Sequence, residues 1–341
     1  MGIVVHLHHK RADCPPRSTF STQKEHFTAF SAVESTLQLY LQPWWLDAVC
    51  PDNSWDVCLA YDETERIKGV WVYHKPHNHG LFSRVKMPYL TPHVGVWVRP
   101  QDDFKPNQQA IYTYKKAILE ELLLQLPQTA FYQQNFHHSV ADSQVFHKHQ
   151  FKVEAYNSYL LEDIYDLEEL YDNFTENTRI DIRRAQKDVV FGECDDIELF
   201  QRMVDRLNTE QNEKAADTFS TLERLDKILS AKELRKAYVA LGTEGVPHAA
   251  IYVVYHNQTA HFLLGAGGSE SHNERAVTLL LWQAIQQASK EGMTSFDFES
   301  GSHPLAWSSV FERFNAFQRP FFKVSKCQNR FYALWNMFFK Y

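Results

Sequence analysis

The sequence predicts a mixed α/β fold in two halves, each a mixed β-sheet flanked by helices. Three observations predict it. Short runs rich in β-branched and aromatic residues recur along the chain, bounded by turn residues. Between them lie segments whose apolar residues return every three or four positions, the helical period. A chain of 341 residues with 44% hydrophobic content suits about two cores.

Residues 1–27 are polar and irregular, with Pro15-Pro16 and a Ser/Thr cluster, and only Ile3 to His8 reads as a strand. The first half, 28–163, opens on the run Trp44 to Val49. Asp56 to Tyr61 and Arg66 to Tyr73 read as a hairpin, with Asp62 to Glu65 as its loop. Val94 to Val98 is a further strand, ended by Pro100. Gln108 to Leu126 is a helix on the spacing of Ile111, Tyr114, Ile118 and Leu122, and Pro127 ends it. Phe131 to Phe136 reads as a strand, Ser139 to His147 as a short helix and Ala155 to Leu161 as a strand.

The second half, 164–341, begins with Asp166-x-x-Glu169, a capping box for a helix through Phe174. Arg179 to Lys187 is the next helix. Leu199, Phe200, Met203, Val204 and Leu207 form one amphipathic face, and Ser220-x-x-Glu223 caps a helix with Leu222, Leu225 and Leu229 inside. Strands follow at Arg235 to Leu241, Ala249 to Tyr255 and Ala260 to Leu264, the last two joined by Asn257-Gln258. The long helix that comes next takes Asn273 as N-cap and Gly292 as C-terminal cap, and buries Ala276, Val277, Leu280, Leu281, Ala284, Ile285 and Ala288. Ser295 to Glu299 is a strand, Trp307 to Phe314 a helix, Phe321 to Val324 a strand and Phe331 to Phe339 a last helix, expected to pack back on the first half.

Composition excludes several classes. The net charge of −7 argues against extended nucleic-acid binding, which needs a basic surface. No run reaches the roughly 18 apolar residues of a spanning helix, and the start has no signal-peptide pattern. Five widely spaced cysteines without a CxxC pair suit a reduced, cytoplasmic protein. Seventeen histidines fall in clusters such as His6, His8 and His9, His74, His77 and His79, and His137, His138, His147 and His149. None has HExxH or a zinc-finger spacing, so no metal site is expected.

Gly265-Ala266-Gly267-Gly268-Ser269 reads as a turn between strand and helix, either a flexible hinge or a place where backbone meets a ligand. Here the sequence resembles the FemABX-like branch of the GNAT acyltransferases. Thr178-Arg179-x-x-Ile182-Arg183-Arg184-Ala185-x-Lys187 resembles that family's R-x-x-I-R-R/K-A-x-K helix. Phe262 to Gly268, then Leu279 to Ile285, resembles its strand, loop and LLxWxAI helix. Phe296-Asp297-Phe298-Glu299 with Phe311-Glu312-Arg313-Phe314 resembles its FDFEGS…FFRxFGA ending. In the first half, Trp45 to Pro51 with Trp55-Asp56 resembles a bacterial subgroup of GNAT-type transferases. The sequence departs from the pattern at Ser300-Gly301-Ser302, at Asn315 in place of a glycine, and in lacking the usual acetyl-CoA signature.

The resemblance implies two GNAT-like subdomains in one chain and transfer of an acyl group from an activated donor to an amine. Acyl-CoA is the co-substrate it implies, with no tightly bound cofactor. The acceptor would be a small-molecule or cell-wall-precursor amine. Some family members carry a long helical arm linked to tRNA engagement. Here the candidate arm helices, within 198–213 and 220–233, are short, so an aminoacyl-tRNA-dependent transferase is the first alternative. A binding module without catalysis is the second.

Residue chemistry suggests the roles. Asp297 and Glu299, two apart on a strand, share a face and could raise one another's pKa, which suits a general base; alternatively they pair with Arg313 or Arg275. His303 follows them as a further acid–base candidate or an exposed loop histidine. Gly265, Gly267, Gly268, His272 and Arg275 are candidates for holding the donor, with backbone N–H groups near Leu264 to Gly268 facing the oxyanion. Arg179, Arg183 and Lys187 lie four apart on one helix face, either gripping an anion or solvated beside Asp181 and Asp188. Trp44, Trp45, Tyr89 and Trp97 are core residues or the lining of a first-half cleft.

Overall fold

The computed structural model describes residues 14–100, 107–140, 142–207, 215–267, 271–299, 307–329 and 331–332. The strand expected over Ile3 to His8, with His6, His8 and His9, lies outside these residues, as does the last helix beyond Tyr332.

In the first half, Thr22 opens α1 (Gln23–Ser31) with a capping box, its hydroxyl accepting from the Glu25 N–H while the Glu25 carboxylate accepts from the Thr22 N–H. Pro43 starts α2 (Pro43–Val49), where its missing N–H costs nothing. The expected hairpin forms from β1 (Trp55–Tyr61) and β2 (Ile67–His74). Its loop is held by the Asp62 carboxylate, which accepts from the N–H groups of Thr64 and Arg66. A second hairpin, β3 (His77–His79) and β4 (Phe82–Val85), had no alternating pattern to announce it. β5 (Val96–Val98), α3 (Gln108–Leu123), β6 (Phe131–Asn135), α4 (Gln144–Lys148) and β7 (Lys152–Glu162) complete this half. The helix expected from Ser139 starts only at Gln144, which leaves His137 to Ser139 outside it.

The second half runs α5 (Leu167–Asn173), α6 (Glu176–Asp188), β8 (Val190–Glu193), α7 (Ile197–Leu207), α8 (Ala215–Ala231), β9 (Arg235–Leu241), β10 (Pro247–His256) and β11 (Thr259–Gly267). Then come α9 (Ser271–Lys290), β12 (Ser295–Asp297), α10 (Ser308–Arg313) and β13 (Phe317–Cys327). Asp166 caps α5 by accepting from the Glu169 N–H at 3.0 Å. Asn257 and Gln258 both take positive φ in the turn between β10 and β11, and Gly292 does so after α9. Two expected caps are corrected. Ser220 lies inside α8, and Asn273 lies inside α9 with its side chain on His248 Nδ1.

The strands make two sheets. The smaller has the order β1-β2-β5, and the larger β3-β4-β6-β13-β7-β12-β11-β10-β9-β8. β13 therefore inserts between two strands of the first half, and one sheet runs through both halves. Within the larger sheet β11 and β12 pair parallel, as do β4 and β6. One face carries a core under α6, α9 and α10, with Phe262, Phe296 and Phe298 fully buried in it. The opposite face meets α7, α8 and the first half, with Leu263, Tyr252, Tyr40 and Trp45 in that core. Trp45 and Trp97 are buried, donating to the hydroxyls of Thr91 and Thr36. Among the described residues no helix is long and apolar enough to cross a membrane.

The expected glycine turn is corrected too. Gly265, Ala266 and Gly267 continue β11, pairing with Ile251, Ala250 and Ala249. A Cβ on Gly265 would lie 2.5 Å from Phe262 Cζ and 2.8 Å from Trp307 Cη2, and one on Gly267 2.4 Å from Val277 Cγ2. These glycines make room for the helix-side core. Gly265→Ala should cost about 1–3 kcal/mol of stability by overpacking. Urea denaturation reads this directly, and an unchanged midpoint would remove the close-packing role.

Candidate active site

β11 and β12 pair only at Thr259 with Ser295, Ala260 with Phe296, and His261 with Asp297. β12 stops there while β11 continues to Gly267. A bulge at Leu263, between the pairs Val253–Phe262 and Tyr252–Leu264, twists β11 at the same place. Two strands that part leave backbone groups along one edge without a strand partner among the described residues.

The chain leaving β12 turns sharply. The Phe298 N–H donates to the Tyr159 carbonyl at 2.9 Å, and Glu299 takes φ +45°, a region that non-glycine residues visit rarely. The turn keeps Asp297 and Glu299 on one pocket although Glu299 is no longer in the strand. Pro92, His93, His138, Ser158 and Phe321 line the rest of that pocket. Its free space is about 10 Å³ for the centre of a water, room for about one molecule.

Each carboxyl is held. Asp297 Oδ1 accepts from Ser158 Oγ at 3.0 Å and from the Glu299 N–H at 2.8 Å. Glu299 Oε1 accepts from Tyr40 Oη at 3.0 Å and lies 2.8 Å from His261 Nδ1. Glu299 Oε2 lies 3.9 Å from His93 Nε2. Tyr40 comes from the first half and is fully buried, packing edge-on against His93 and His261 at ring distances of 4.7 and 5.8 Å.

Burial sets the electrostatics. It pushes Glu299 up to about 8, against the Tyr40 hydrogen bond. It pushes Asp297 up to about 7, with the Glu299 charge adding to the rise and His261, Ser158 and the Glu299 N–H opposing it. Burial lowers His261 to about 4 and His137 to about 3, and drives His93 well below the usual imidazole range. The His261–Glu299 contact therefore holds a neutral imidazole against a protonated carboxyl, because an ion pair there would be desolvated at both ends. Near neutral pH the histidines are neutral and Asp297 is partly ionised, while Glu299 can lose or gain its proton within the working range of a general base.

The alternative partners of the two carboxylates are engaged elsewhere. Arg313 pairs with Asp181 at 3.1 Å and with Glu274, and Arg275 lies 3.9 Å from Asp188. Arg179 donates to the Asp172 carbonyl near the end of α5. Arg183 and Lys187 stay exposed on α6 without an ion pair among the described residues. Gly265 and Gly267 sit on the helix-side face, opposite His261, so the structure does not bring them together with the carboxylates in one open bend. Gly268, Ser300 to Ser302, His303 and the side chain of His272 lie outside the described residues. Asn315, in place of the family's glycine, has φ +57°, which asparagine tolerates. Among the described residues no three His, Cys, Asp or Glu side chains are grouped to hold a metal ion.

Sequence reasoning missed Tyr40, His93, Ser158 and His261. His261 carried a signal, as a polar residue in the apolar run Ala260 to Leu264. Tyr40 had none, because it lies 259 positions from the residue it touches.

Residues 172–305 match the family described as the Acetyltransferase (GNAT) domain. This part of the chain is a GNAT domain. The GNAT domain contributes His261, Asp297 and Glu299, and the first half closes the pocket over them. Over 89% of this chain and 96% of that one, the fold is similar to that of FemX, at 12% identity with a TM-score of 0.55. The GNAT-type, FemABX-like resemblance of the motifs thus agrees with both domain family and fold. L-PGS from Bacillus licheniformis aligns at 11% identity over 82% and 87% of the two chains, with a TM-score of 0.45. A tandem GNAT protein from the clavulanic acid biosynthesis pathway aligns at 10% over 83% and 93%, with a TM-score of 0.46. No curated protein matches the sequence.

Proposed function

We propose that the protein is an N-acyltransferase in which Glu299 accepts the proton of an attacking amine. The observation that carries this is the buried pair Asp297 and Glu299 in one pocket, beside the parted strands of a GNAT domain. The ionised Glu299 carboxylate takes a proton from the amine through the one water that the pocket has room for, as the nitrogen bonds to the acyl carbon. The carbon–sulfur bond of a thioester then breaks, and the thiolate leaves. N–H groups on the open edge of β11 are suited to meet the oxyanion. Asp297 is a positioning residue here, since its Oδ1 fixes the Glu299 backbone.

The donor is proposed to be an acyl-CoA and the acceptor a small-molecule or cell-wall-precursor amine. Exposed Arg183 and Lys187 favour a second reading, an aminoacyl ester carried on tRNA, because their nearest acidic neighbours on α6 are turned to other arginines. A thermal-shift series separates them. Acyl-CoA at 100 times its Kd should stabilise the protein by about 2.7 kcal/mol. Aminoacylated tRNA should instead bind with a steep salt dependence that Arg183→Ala and Lys187→Ala flatten by about one phosphate contact each. Stabilisation by neither donor class would remove the acyltransferase reading.

A further inference from the structure

Tyr40 brings more to the pocket than its ring. It sits in a single 3-10 turn, Leu39–Leu41, whose two leucines are buried beside it. The segment before it is tied to the second half. In the turn between β10 and β11, Asn257 Nδ2 donates to the Ser35 carbonyl at 2.9 Å and to the Leu37 carbonyl at 3.2 Å. Gln42 Nε2 donates to the same Leu37 carbonyl at 3.2 Å. The Tyr40 ring packs edge-on against Trp45, His93 and His261, at ring distances of 4.9, 4.7 and 5.8 Å. A phenylalanine ring would fill that space equally well. The hydroxyl is the part that packing does not require, and a buried hydroxyl is costly unless it is bonded. It donates to Glu299 Oε1 at 3.0 Å. Burial and the nearby carboxylates hold Tyr40 well above the usual phenol range, so it keeps its proton and remains a donor.

We propose that Tyr40 is a positioning residue for acyl transfer, its hydroxyl reaching from the first half to fix the Glu299 carboxyl in the pocket. The proposal rests on Glu299 as the proton acceptor. A hydrogen bond to an ionised carboxylate is roughly twice as strong as one to a neutral acid. Tyr40 therefore favours the ionised form, against the burial that disfavours it. The titratable groups around Glu299 are Asp297 on β12, His261 on β11, and His93 and His138 from loops of the first half, with His137 behind His93. Burial lowers all four histidines, which stay neutral near pH 8, so Asp297 supplies the charge beside Glu299 there. The first half is then a working part of the catalytic unit. Without it the GNAT domain would keep its carboxyl but lose the donor that helps to ionise it.

Tyr40→Phe tests this, since it keeps the ring and leaves His261 against Glu299 Oε1. In the parent, kcat/KM should climb at about pH 8. In the variant the climb should lie about one pH unit higher, the difference between a charged and a neutral hydrogen bond. At pH 7 the variant is then about tenfold slower, and raising the pH recovers most of the loss. Infrared titration reads the same shift without substrate, in the buried C=O band that Glu299→Gln removes. Should Tyr40→Phe fail to fold, a ring-fluorinated tyrosine at this position keeps the shape and donates more strongly. It should move both readings to lower pH, which altered packing would not do. Unmoved readings in the folded variant overturn the proposal, as does a rate loss equal at every pH. A band that moves while the rate profile stays overturns instead Glu299 as the proton acceptor.

Discussion

Glu299→Gln should lower the rate of acyl transfer by about 10²–10⁴-fold, the span a positioned general base supplies. The amide keeps the size of the carboxyl and can still accept from Tyr40 at the position of Oε1, so the pocket should survive the exchange. What it loses is the ability to hold the amine proton. Asp297→Asn should cost less, because Asp297 acts on the Glu299 backbone and on Ser158. The pH profile distinguishes the two roles. A base raised to about 8 gives a kcat/KM that climbs through that value as the carboxylate forms. Asp297→Asn removes the neighbouring negative charge and should move the climb to lower pH. Turnover by Glu299→Gln equal to that of the parent would end the general-base assignment.

The same substitution should make the protein more stable at alkaline pH relative to the parent. Glu299 at about 8 and Asp297 at about 7 lie above the usual carboxyl values of 4.5 and 3.8. The folded state therefore keeps protons that the unfolded chain has released, and stability falls as pH rises toward those values. The histidines act in the opposite sense. His261 at about 4 and His137 at about 3 lie below the usual 6.5, so stability falls as pH drops below that value. Between pH 6.5 and 8 the histidine contribution fades and is common to variant and parent, so the carboxyls set the difference. Each contributes up to about 1.4 kcal/mol per pH unit. Across that window Glu299→Gln should gain about 2 kcal/mol on the parent. Denaturant melts at the two pH values measure it, and a constant difference between them would show that Glu299 is ionised throughout.

Strong periodicity made most elements legible before any coordinates. The stripes of α3, α7 and α9 and the hairpin of β1 and β2 sit within a few residues of where the sequence puts them. Where reading failed, a local signal had two physical meanings. Gly265 and Gly267 read as a turn because glycine is permissive, yet they are strand residues whose missing Cβ admits Phe262, Trp307 and Val277. Ser220 and Asn273 have capping chemistry but stand inside helices that start earlier. The polar hairpin of β3 and β4 is held by its place at the edge of the large sheet, and its own residues carry no strand pattern.

The sequence by itself determined the mixed α/β class, the helix and strand faces, and the acidic pair at 297 and 299. These depend on spacing along the chain, which periodicity records. Only the tertiary structure decided what surrounds that pair. Tyr40 and His93 reach it through the packing of the first half against the sheet, and burial by that packing raises both carboxyls. Desolvation is a property of the enclosing three-dimensional volume, so no pattern of neighbours in the chain could have specified it.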